Sequence, residues 1–181
     1  MGGCLSLPGT VFWITGLSGA GKTTVATHLQ ESLREHGIKA LLLDGDELRA
    51  AVAEDLGYLP EDRLRAAMRY ARLCKLLSDQ GAIVICPTIS MFHECRKWNR
   101  THIDRYLEVY LKVPYAELLG RDAKGLYAKS SQGDTEHLVG LNGAFEEPAS
   151  PDLVVDNHGQ TSTQDAVTAI LNLYFLTCGT T

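Results

Sequence analysis

The sequence lacks the features that mark several broad classes of protein. Its 181 residues include five cysteines, but these form no C-x-x-C pair and no zinc-binding spacing, which argues against a disulfide framework and a structural zinc site. No apolar run approaches the roughly 20 residues that cross a bilayer, and no signal peptide precedes the first predicted strand. We therefore expect a cytoplasmic protein with free thiols and no membrane partner.

Positive charge is also scarce. Lys and Arg number 17 against 22 Asp and Glu, a net charge of −5, and this balance argues against a broad nucleic-acid surface. The Asn-Lys-x-Asp segment with which a GTPase reads guanine is missing, as are repeats and low-complexity linkers. The remaining composition, 45% hydrophobic and 22% charged, is typical of one globular domain with a continuous core.

Apolar segments alternate with helical patterns along the chain. We predict strands at 11–14, 40–43, 82–86, 107–111 and 153–155, and helices over about 22–35, from near 47, 61–79 and 163–176. This alternation predicts an α/β three-layer sandwich, with about five mostly parallel strands covered by helices on both faces. We expect residues 1–9 to be a flexible lead-in, residues 10–181 a single domain, and the poorly patterned region 120–150 a lid. Residues 1–6 match an N-myristoylation pattern, but no polybasic patch follows to strengthen anchoring.

A complete G-x-x-x-x-G-K-[ST] motif lies between the first strand and the first helix. Its glycines let backbone N–H groups surround a phosphate, and the helix directs its positive end at the anion. Lys22 is predicted to reach the β- and γ-phosphates of ATP, and the Thr23 hydroxyl to ligate Mg²⁺. The predicted nucleotide-binding residues are Gly16, Leu17, Ser18, Gly19, Ala20, Gly21, Lys22, Thr23 and Thr24.

Two carboxylates follow the second strand, at the sheet edge where the phosphate loop lies. One of Asp44 and Asp46 could act as general base toward an attacking hydroxyl while the other holds Mg²⁺. The structural alternative is an Asp-Gly turn that caps the next helix, and both interpretations can hold together.

Arginines are concentrated on the two helices after Asp46. Arg49 and Arg63 are predicted to clamp an anionic substrate, although such residues commonly form a solvated face. The others, Arg65, Arg69 and Arg72, are predicted to face water. Arg121 opens the lid region and either neutralises charge on a transferred phosphoryl group or makes a salt-bridged turn.

Further motifs give the sequence a family resemblance. They are WITGLSGAGKTT, LDGDELR, DLGYLPEDR, the strand ending in Thr88-Ile89-Ser90, RDAKGLY and Phe145-Glu146-Glu147-Pro148. With them the chain resembles the adenylyl-sulfate (APS) kinases from about residue 11 to 155. The resemblance implies a homodimeric P-loop kinase that phosphorylates the ribose 3′-hydroxyl of adenosine 5′-phosphosulfate, with ATP under a lid that includes Arg121 and Lys124.

The resemblance also implies a set of site residues. Lys22, Asp44, Asp46 and Ser90 fall at catalytic positions, although we interpret Ser90 as a pocket residue because direct in-line transfer needs no phosphoserine intermediate. Thr23 and Asp44 would hold Mg²⁺. The implied acceptor-binding residues are Asp46, Arg49, Tyr58, Arg63, Ile89, Ser90 and Leu138.

Departures from the family pattern concentrate on the acceptor side. Ala66 and Met68 replace an asparagine and an arginine, Met91-Phe92-His93 replaces Pro-Tyr-Arg, and Glu136-His137-Leu138-Val139-Gly140 replaces Lys-Asn-Phe-Thr-Gly. Leu138 lacks the ring that would stack on an adenine. The sequence therefore predicts an APS-kinase-type enzyme whose acceptor is APS or another alcohol, such as a cytidine diphosphate derivative (for example cytidine diphosphoramidate) or a non-nucleotide alcohol. A non-catalytic nucleotide-binding subunit is a further alternative.

Overall fold

The computed structural model describes residues 9–121 and 145–179 of the chain. Its strands are β1 (Thr10–Thr15), β2 (Ala40–Leu42), β3 (Ile83–Pro87), β4 (Tyr106–Lys112) and β5 (Leu153–Asp156). Its helices are α1 (Lys22–Glu35), α2 (Gly45–Val52), α3 (Pro60–Ser78), α4 (His93–His102), α5 (Tyr115–Gly120) and α6 (Thr163–Cys178).

The described strands form one five-stranded sheet in the order β2-β3-β1-β4-β5. Every neighbouring pair is parallel, so the carboxyl ends of all five strands lie at one edge. The strand order reverses at β1, which lies between β3 and β4. In open α/β sheets a ligand binds at such a reversal, outside the carboxyl ends of the strands. The predicted α/β three-layer fold is confirmed.

Side chains alternate along the central strands because a strand repeats every two residues. Phe12 and Ile14 of β1 pack into one hydrophobic core with α1 and α6. Val11 and Trp13 pack into a second core with α3 on the opposite face. Both faces of β1 are fully buried, which explains its uninterrupted apolar sequence.

The sequence patterns predicted four of the six described helices and missed α4 and α5. Helix α4 has a polar sequence, yet Cys95, Arg96 and Asn99 are its buried residues. Because two of these three are polar, no apolar stripe marked the helix. Helix α5 has six residues, fewer than two turns, and was also missed. Each end of a predicted strand lies within one residue of the observed end.

Within the described ranges, no helix has both the length and the apolar character to cross a membrane. The four cysteines that the structure describes, Cys74, Cys86, Cys95 and Cys178, are free thiols as predicted. Burial raises the pKa of Cys95 to about 12, which leaves that thiol protonated and unreactive at neutral pH.

Candidate active site

The phosphate loop follows β1 directly and ends at the first residue of α1. Gly19 and Gly21 adopt φ angles of +77° and +83°, a region that residues with a Cβ rarely occupy. A Cβ at Gly16 would lie 2.6 Å from the carbonyl oxygen of Leu111, so only glycine lets β1 leave the sheet beside β4. Three glycines therefore shape the loop, two through a positive φ angle and one through close approach to β4.

Helix α1 begins at Lys22 with Gly21 as its N-cap, and no side chain caps it there. Its N-terminus lies at the carboxyl edge of the sheet, where the helix dipole favours an anion. The Lys22 ammonium donates to the carbonyl oxygen of Leu17 at 2.8 Å, which holds the lysine against the phosphate loop. An anion in the loop would offer the ammonium a stronger, charge-assisted partner than this carbonyl.

Two side chains with oxygen atoms, Thr23 and Asp44, meet between the phosphate loop and the end of β2. The Thr23 hydroxyl donates to Oδ2 of Asp44 at 2.8 Å. Oδ1 of Asp44 accepts from the backbone N–H of Asp46 at 2.9 Å and caps α2. The predicted cap is therefore present, and the same carboxylate also contacts the Thr23 hydroxyl, its predicted partner in binding Mg²⁺.

This pair fits Mg²⁺ by its chemistry. A hydroxyl and a carboxylate are hard oxygen ligands, and Mg²⁺ commonly takes one or two protein oxygens while substrate phosphates and water complete its shell. No cluster of three or more His, Cys, Asp or Glu side chains that could hold a metal occurs among residues 9–121 and 145–179. The structure therefore offers Thr23 and Asp44 as ligands that depend on a bound nucleotide for the remaining coordination.

Asn157 lies just beyond β5 and joins three parts of this edge. Its side-chain amide donates to the carbonyl oxygen of Ala20 in the phosphate loop at 2.8 Å. Its backbone N–H bonds to Lys112 at the end of β4, and its carbonyl accepts from Arg121 at 3.0 Å. Arg121 also pairs with Glu117 at 3.3 Å. The salt-bridged arrangement that the sequence left open for Arg121 is thus present, at the entrance to the region predicted as a lid.

Two arginines flank Tyr58, which lies in the segment between α2 and α3. The guanidinium carbon of Arg49 lies 4.2 Å from the Tyr58 ring centroid and that of Arg63 lies 5.6 Å from it. Arg49 donates to the carbonyls of Leu56 and Gly57, both at 2.6 Å, and Arg63 to that of Tyr58 at 2.7 Å. Burial, and then the nearby Arg49 charge, lowers the pKa of Arg63. Two cations held this close favour an anion as their common partner.

Arg69, which was predicted to face water, has a partly exposed side chain that also makes specific contacts. It donates to the carbonyl of Val52 at 3.0 Å and pairs with the carboxylate of Asp55 through both terminal nitrogens. This bidentate hydrogen bond lowers the pKa of Asp55. Arg65 and Arg72 are exposed as predicted. Arg69 therefore helps to fix the segment that presents Tyr58.

The segment after β3 brings Ser90 to the same edge of the sheet. The Ser90 hydroxyl is buried and lies 2.7 Å from the hydroxyl of Thr88. The carbonyl oxygen of Ile89 accepts from the Thr15 hydroxyl at 3.0 Å, which joins this segment to the end of β1. Gly45 packs against the other side, where a Cβ would lie 3.1 Å from the carbonyl oxygen of Pro87.

A network of charged residues centred on the buried Arg96 lies next to this segment. Arg96 donates to the carbonyls of Glu146 and Glu147 at 2.8 and 3.3 Å. The Glu146 carboxylate accepts from the backbone N–H of His93 and thereby caps α4, whose N-cap residue has no side-chain cap of its own. Arg96 lies 3.4 Å from the buried carboxylate of Glu108. The Phe145-Glu146-Glu147-Pro148 motif thus packs against the start of α4.

Sequence reasoning missed the residues that hold the site together. Arg96, Glu108 and Asn157 occur in no short motif, because they lie on α4, on β4 and just after β5 and make contacts that only the fold brings together. Lys124 and Leu138 were predicted to bind nucleotide and acceptor, and both lie outside the described residues, as does most of the region 120–150.

The departures from the family pattern that fall on described residues, at positions 66, 68 and 91–93, lie mainly inside the protein. Ala66 and Met91 are buried, in separate cores. Met68 and Phe92 are half-buried and pack against the second core. Only His93 is exposed, and its Nδ1 lies 2.6 Å from an Arg96 nitrogen. The described substitutions therefore change packing around the candidate pocket more than its exposed charge.

The fold and the site together define a class. A parallel sheet with a complete phosphate loop, and a threonine after that loop hydrogen-bonded to an aspartate that follows β2, is the arrangement of a P-loop kinase. Comparison with known proteins then gives the family. The family model for adenylylsulphate kinase matches residues 8–156, and the chain belongs to that family.

Relatives and solved structures agree with this membership. The chain is 40% identical to a probable adenylyl-sulfate kinase of Aeropyrum pernix, over 84% of this chain and 86% of the relative. It is 42% identical to an adenylyl-sulfate kinase of Paraburkholderia xenovorans, over 82% and 83% of the two chains. The APS kinase of Mycobacterium tuberculosis, solved with AMPPNP and APS, superposes with a TM-score of 0.86 at 35% identity, covering 93% of this chain and 98% of that one.

Proposed function

We propose that this protein transfers the γ-phosphate of ATP to the ribose 3′-hydroxyl of adenylyl sulfate or a closely similar nucleotide. The chain is an ATP-dependent phosphotransferase of the APS kinase type. The observation that carries the assignment of roles is the Thr23–Asp44 hydrogen bond at the phosphate loop, because it brings a candidate metal site to the edge where Asp46 lies.

Each side chain has a role that follows from its position. Lys22, released from the Leu17 carbonyl, would bind the β- and γ-phosphate oxygens. Thr23 and Asp44 would hold Mg²⁺, which neutralises charge on the phosphates when bound. Asp46, at the start of α2, is the candidate base that accepts the proton of the acceptor hydroxyl. These roles require the γ-phosphate to lie between the phosphate loop and α2.

The acceptor is proposed to bind beside α2 and the segment that follows it, with its hydroxyl group directed toward Asp46. Arg49 and Arg63 would pair with its phosphate and sulfate oxygens, and the half-exposed Tyr58 ring would contact its base. Ser90 and Ile89 would line the opposite wall. Arg121 would help to hold the nucleotide donor. A homodimer and a cytoplasmic location, both expected from the sequence, remain predictions, and sedimentation of the purified protein tests the first.

A cytidine diphosphate derivative is a second candidate acceptor because two core residues differ from the family pattern. Ala66 and Met91 replace family residues of different polarity and shape in the cores beside the pocket, so the pocket can differ in form from that of an APS kinase. Such a change could favour a cytidine diphosphate derivative. If the protein turns over no acceptor but binds nucleotide, it is instead a non-catalytic nucleotide-binding subunit.

The deciding assay follows ADP release with Mg-ATP and a panel of acceptors. APS is compared with cytidine, uridine and guanosine nucleotides, and we expect the fastest turnover with APS. Turnover confined to a cytidine nucleotide would refute APS as the acceptor but retain the kinase. ATP binding without phosphorylation of any acceptor would refute the proposed reaction.

Asp46→Asn tests the catalytic role directly. Loss of the base is expected to lower kcat by about 100-fold or more while AMPPNP binding changes little, because positioned acid–base groups contribute on this scale. Glu47→Gln is the matched control, since Glu47 is an exposed neighbour on the same helical turn. Normal turnover in Asp46→Asn would remove Asp46 from the mechanism.

A further inference from the structure

We infer that Asn157 is a positioning residue for the nucleotide donor, which fixes the phosphate loop relative to Arg121. The inference rests on the proposed use of this loop for ATP. It adds a residue outside the phosphate-loop motif, placed by the fold at the opposite end of the chain.

Asn157 contacts three separate parts of the structure. The Asn157 amide donates to Ala20 in the loop at 2.8 Å, and the Asn157 backbone N–H bonds to Lys112 at 2.9 Å. Its carbonyl accepts from the Arg121 guanidinium at 3.0 Å. Because β4 anchors Asn157, the phosphate loop and Arg121 are both tied to the rigid sheet edge through one residue.

The Asn157 side chain also packs closely against Gly21. A Cβ on Gly21 would lie 2.9 Å from the Asn157 amide nitrogen, so the side chain packs tightly against the turn that begins α1. The side chain thus contacts the loop at two adjacent residues, Ala20 and Gly21. These are the residues whose backbone orientation sets where the N-terminus of α1 points, and the following Lys22 is proposed to bind phosphate.

The hydrogen bond from Asn157 to Ala20 requires a donor at position 157, which the amide supplies. The Ala20 carbonyl accepts, so its partner must donate, and an aspartate of the same shape would instead present a carboxylate oxygen to it. Without the amide donor the phosphate loop would be free to relax. A carboxylate at position 157 would repel the Ala20 carbonyl oxygen. The phosphate-binding conformation would then be less populated before ATP binds.

The test uses Asn157→Ala and Asn157→Asp in the full chain, with Asn172→Asp as control. Asn172 is exposed on α6 and gives the same change of charge away from the site. AMPPNP affinity is measured by calorimetry, which needs no acceptor, and the KM for ATP and for APS by ADP release. A failure of the proposed acceptor therefore leaves the binding measurement intact.

We expect Asn157→Ala to weaken AMPPNP binding and raise the KM for ATP about fivefold, as for one lost hydrogen bond of about 1 kcal/mol. Asn157→Asp should weaken binding about tenfold or more, because its carboxylate repels both the carbonyl and the phosphates. The KM for APS and the control should stay unchanged. Unaltered AMPPNP affinity in both variants would overturn the inference, as would an equal loss of ATP and APS binding with a lowered unfolding midpoint.

A double-mutant cycle tests the connection to Arg121. If Asn157 fixes the loop relative to Arg121, the combined effect of Asn157→Ala and Arg121→Ala on AMPPNP affinity should differ from the product of the single effects by about twofold or more. Strict additivity would overturn the connection between the two parts of the site.

Discussion

Replacement of Arg96 by Met should destabilise the protein far more than loss of an exposed arginine. The side chains of Arg96 and Glu108 are only 5% and 3% exposed, and their charged atoms lie 3.4 Å apart. Removing one partner of a buried ion pair costs about 3–5 kcal/mol, because the other charge remains buried. Arg100 stays 3.0 Å from Glu108 and provides partial compensation, so we expect a loss of about 3 kcal/mol at the lower end of that range.

Urea unfolding followed by circular dichroism measures this loss as a lower midpoint at unchanged slope. Arg65→Met is the matched control, since Arg65 is 66% exposed in its ion pair with Asp62 and should cost less than about 0.5 kcal/mol. Adding Glu108→Leu to Arg96→Met should recover part of the stability, because no buried charge is then left unpaired. If Arg96→Met unfolds at the same urea concentration as Arg65→Met, the buried Arg96–Glu108 pair contributes no more to stability than an exposed ion pair.

The pH dependence gives an independent check. Burial raises the pKa of Glu108 above its ordinary value, although Arg100 and Arg96 oppose this rise. A carboxyl group with a raised pKa in the folded protein contributes stability that is present at low pH and lost as the pH rises through that pKa. Removal of Arg96 raises this pKa further. The destabilisation by Arg96→Met should therefore shrink as the pH falls toward 5, and a constant difference would contradict the assignment.

Two further substitutions test local features of the chain. Ser162→Ala removes the capping box with Asp165 at the start of α6 and should lower the free energy of unfolding by about 1 kcal/mol in urea, whereas the control Asn172→Ala should leave it unchanged. Because Ser162 lowers the pKa of Asp165, the stability that Asp165 contributes is present above pH 3.8 and is lost as the pH falls through the lowered pKa. A loss of stability in Ser162→Ala that grows in acid would contradict this account. Gly21→Ala places a Cβ at φ +83° and against Asn157, so AMPPNP affinity should fall about tenfold by calorimetry, whereas Gly120→Ala, where a Cβ meets nothing within 4 Å, should leave it unchanged. Wild-type affinity in Gly21→Ala would refute the steric account of the loop.

The sequence alone determined the features that depend on neighbouring residues. The phosphate loop is a local motif, because Gly19 and Gly21 adopt backbone angles that are rarely open to other residues. The apolar run in β1 and the helical spacing in α3 are likewise consequences of burial with a fixed period. The alternation of these segments was sufficient to predict the parallel sheet and the edge at which the ligand site lies.

The tertiary structure decided the features that depend on residues distant in sequence. Asn157 meets Ala20 across 137 positions, and Arg96 meets Glu146 across 50. Periodicity did not reveal helix α4, because its buried face contains two polar residues, Arg96 and Asn99. The burial of Arg96 is compatible with the fold because the Glu146 carbonyl and the Glu108 carboxylate lie 2.8 and 3.4 Å from it. A sequence pattern records which residues are apolar and at what spacing, whereas pairing of buried polar groups is set by where the strands and helices bring them in space.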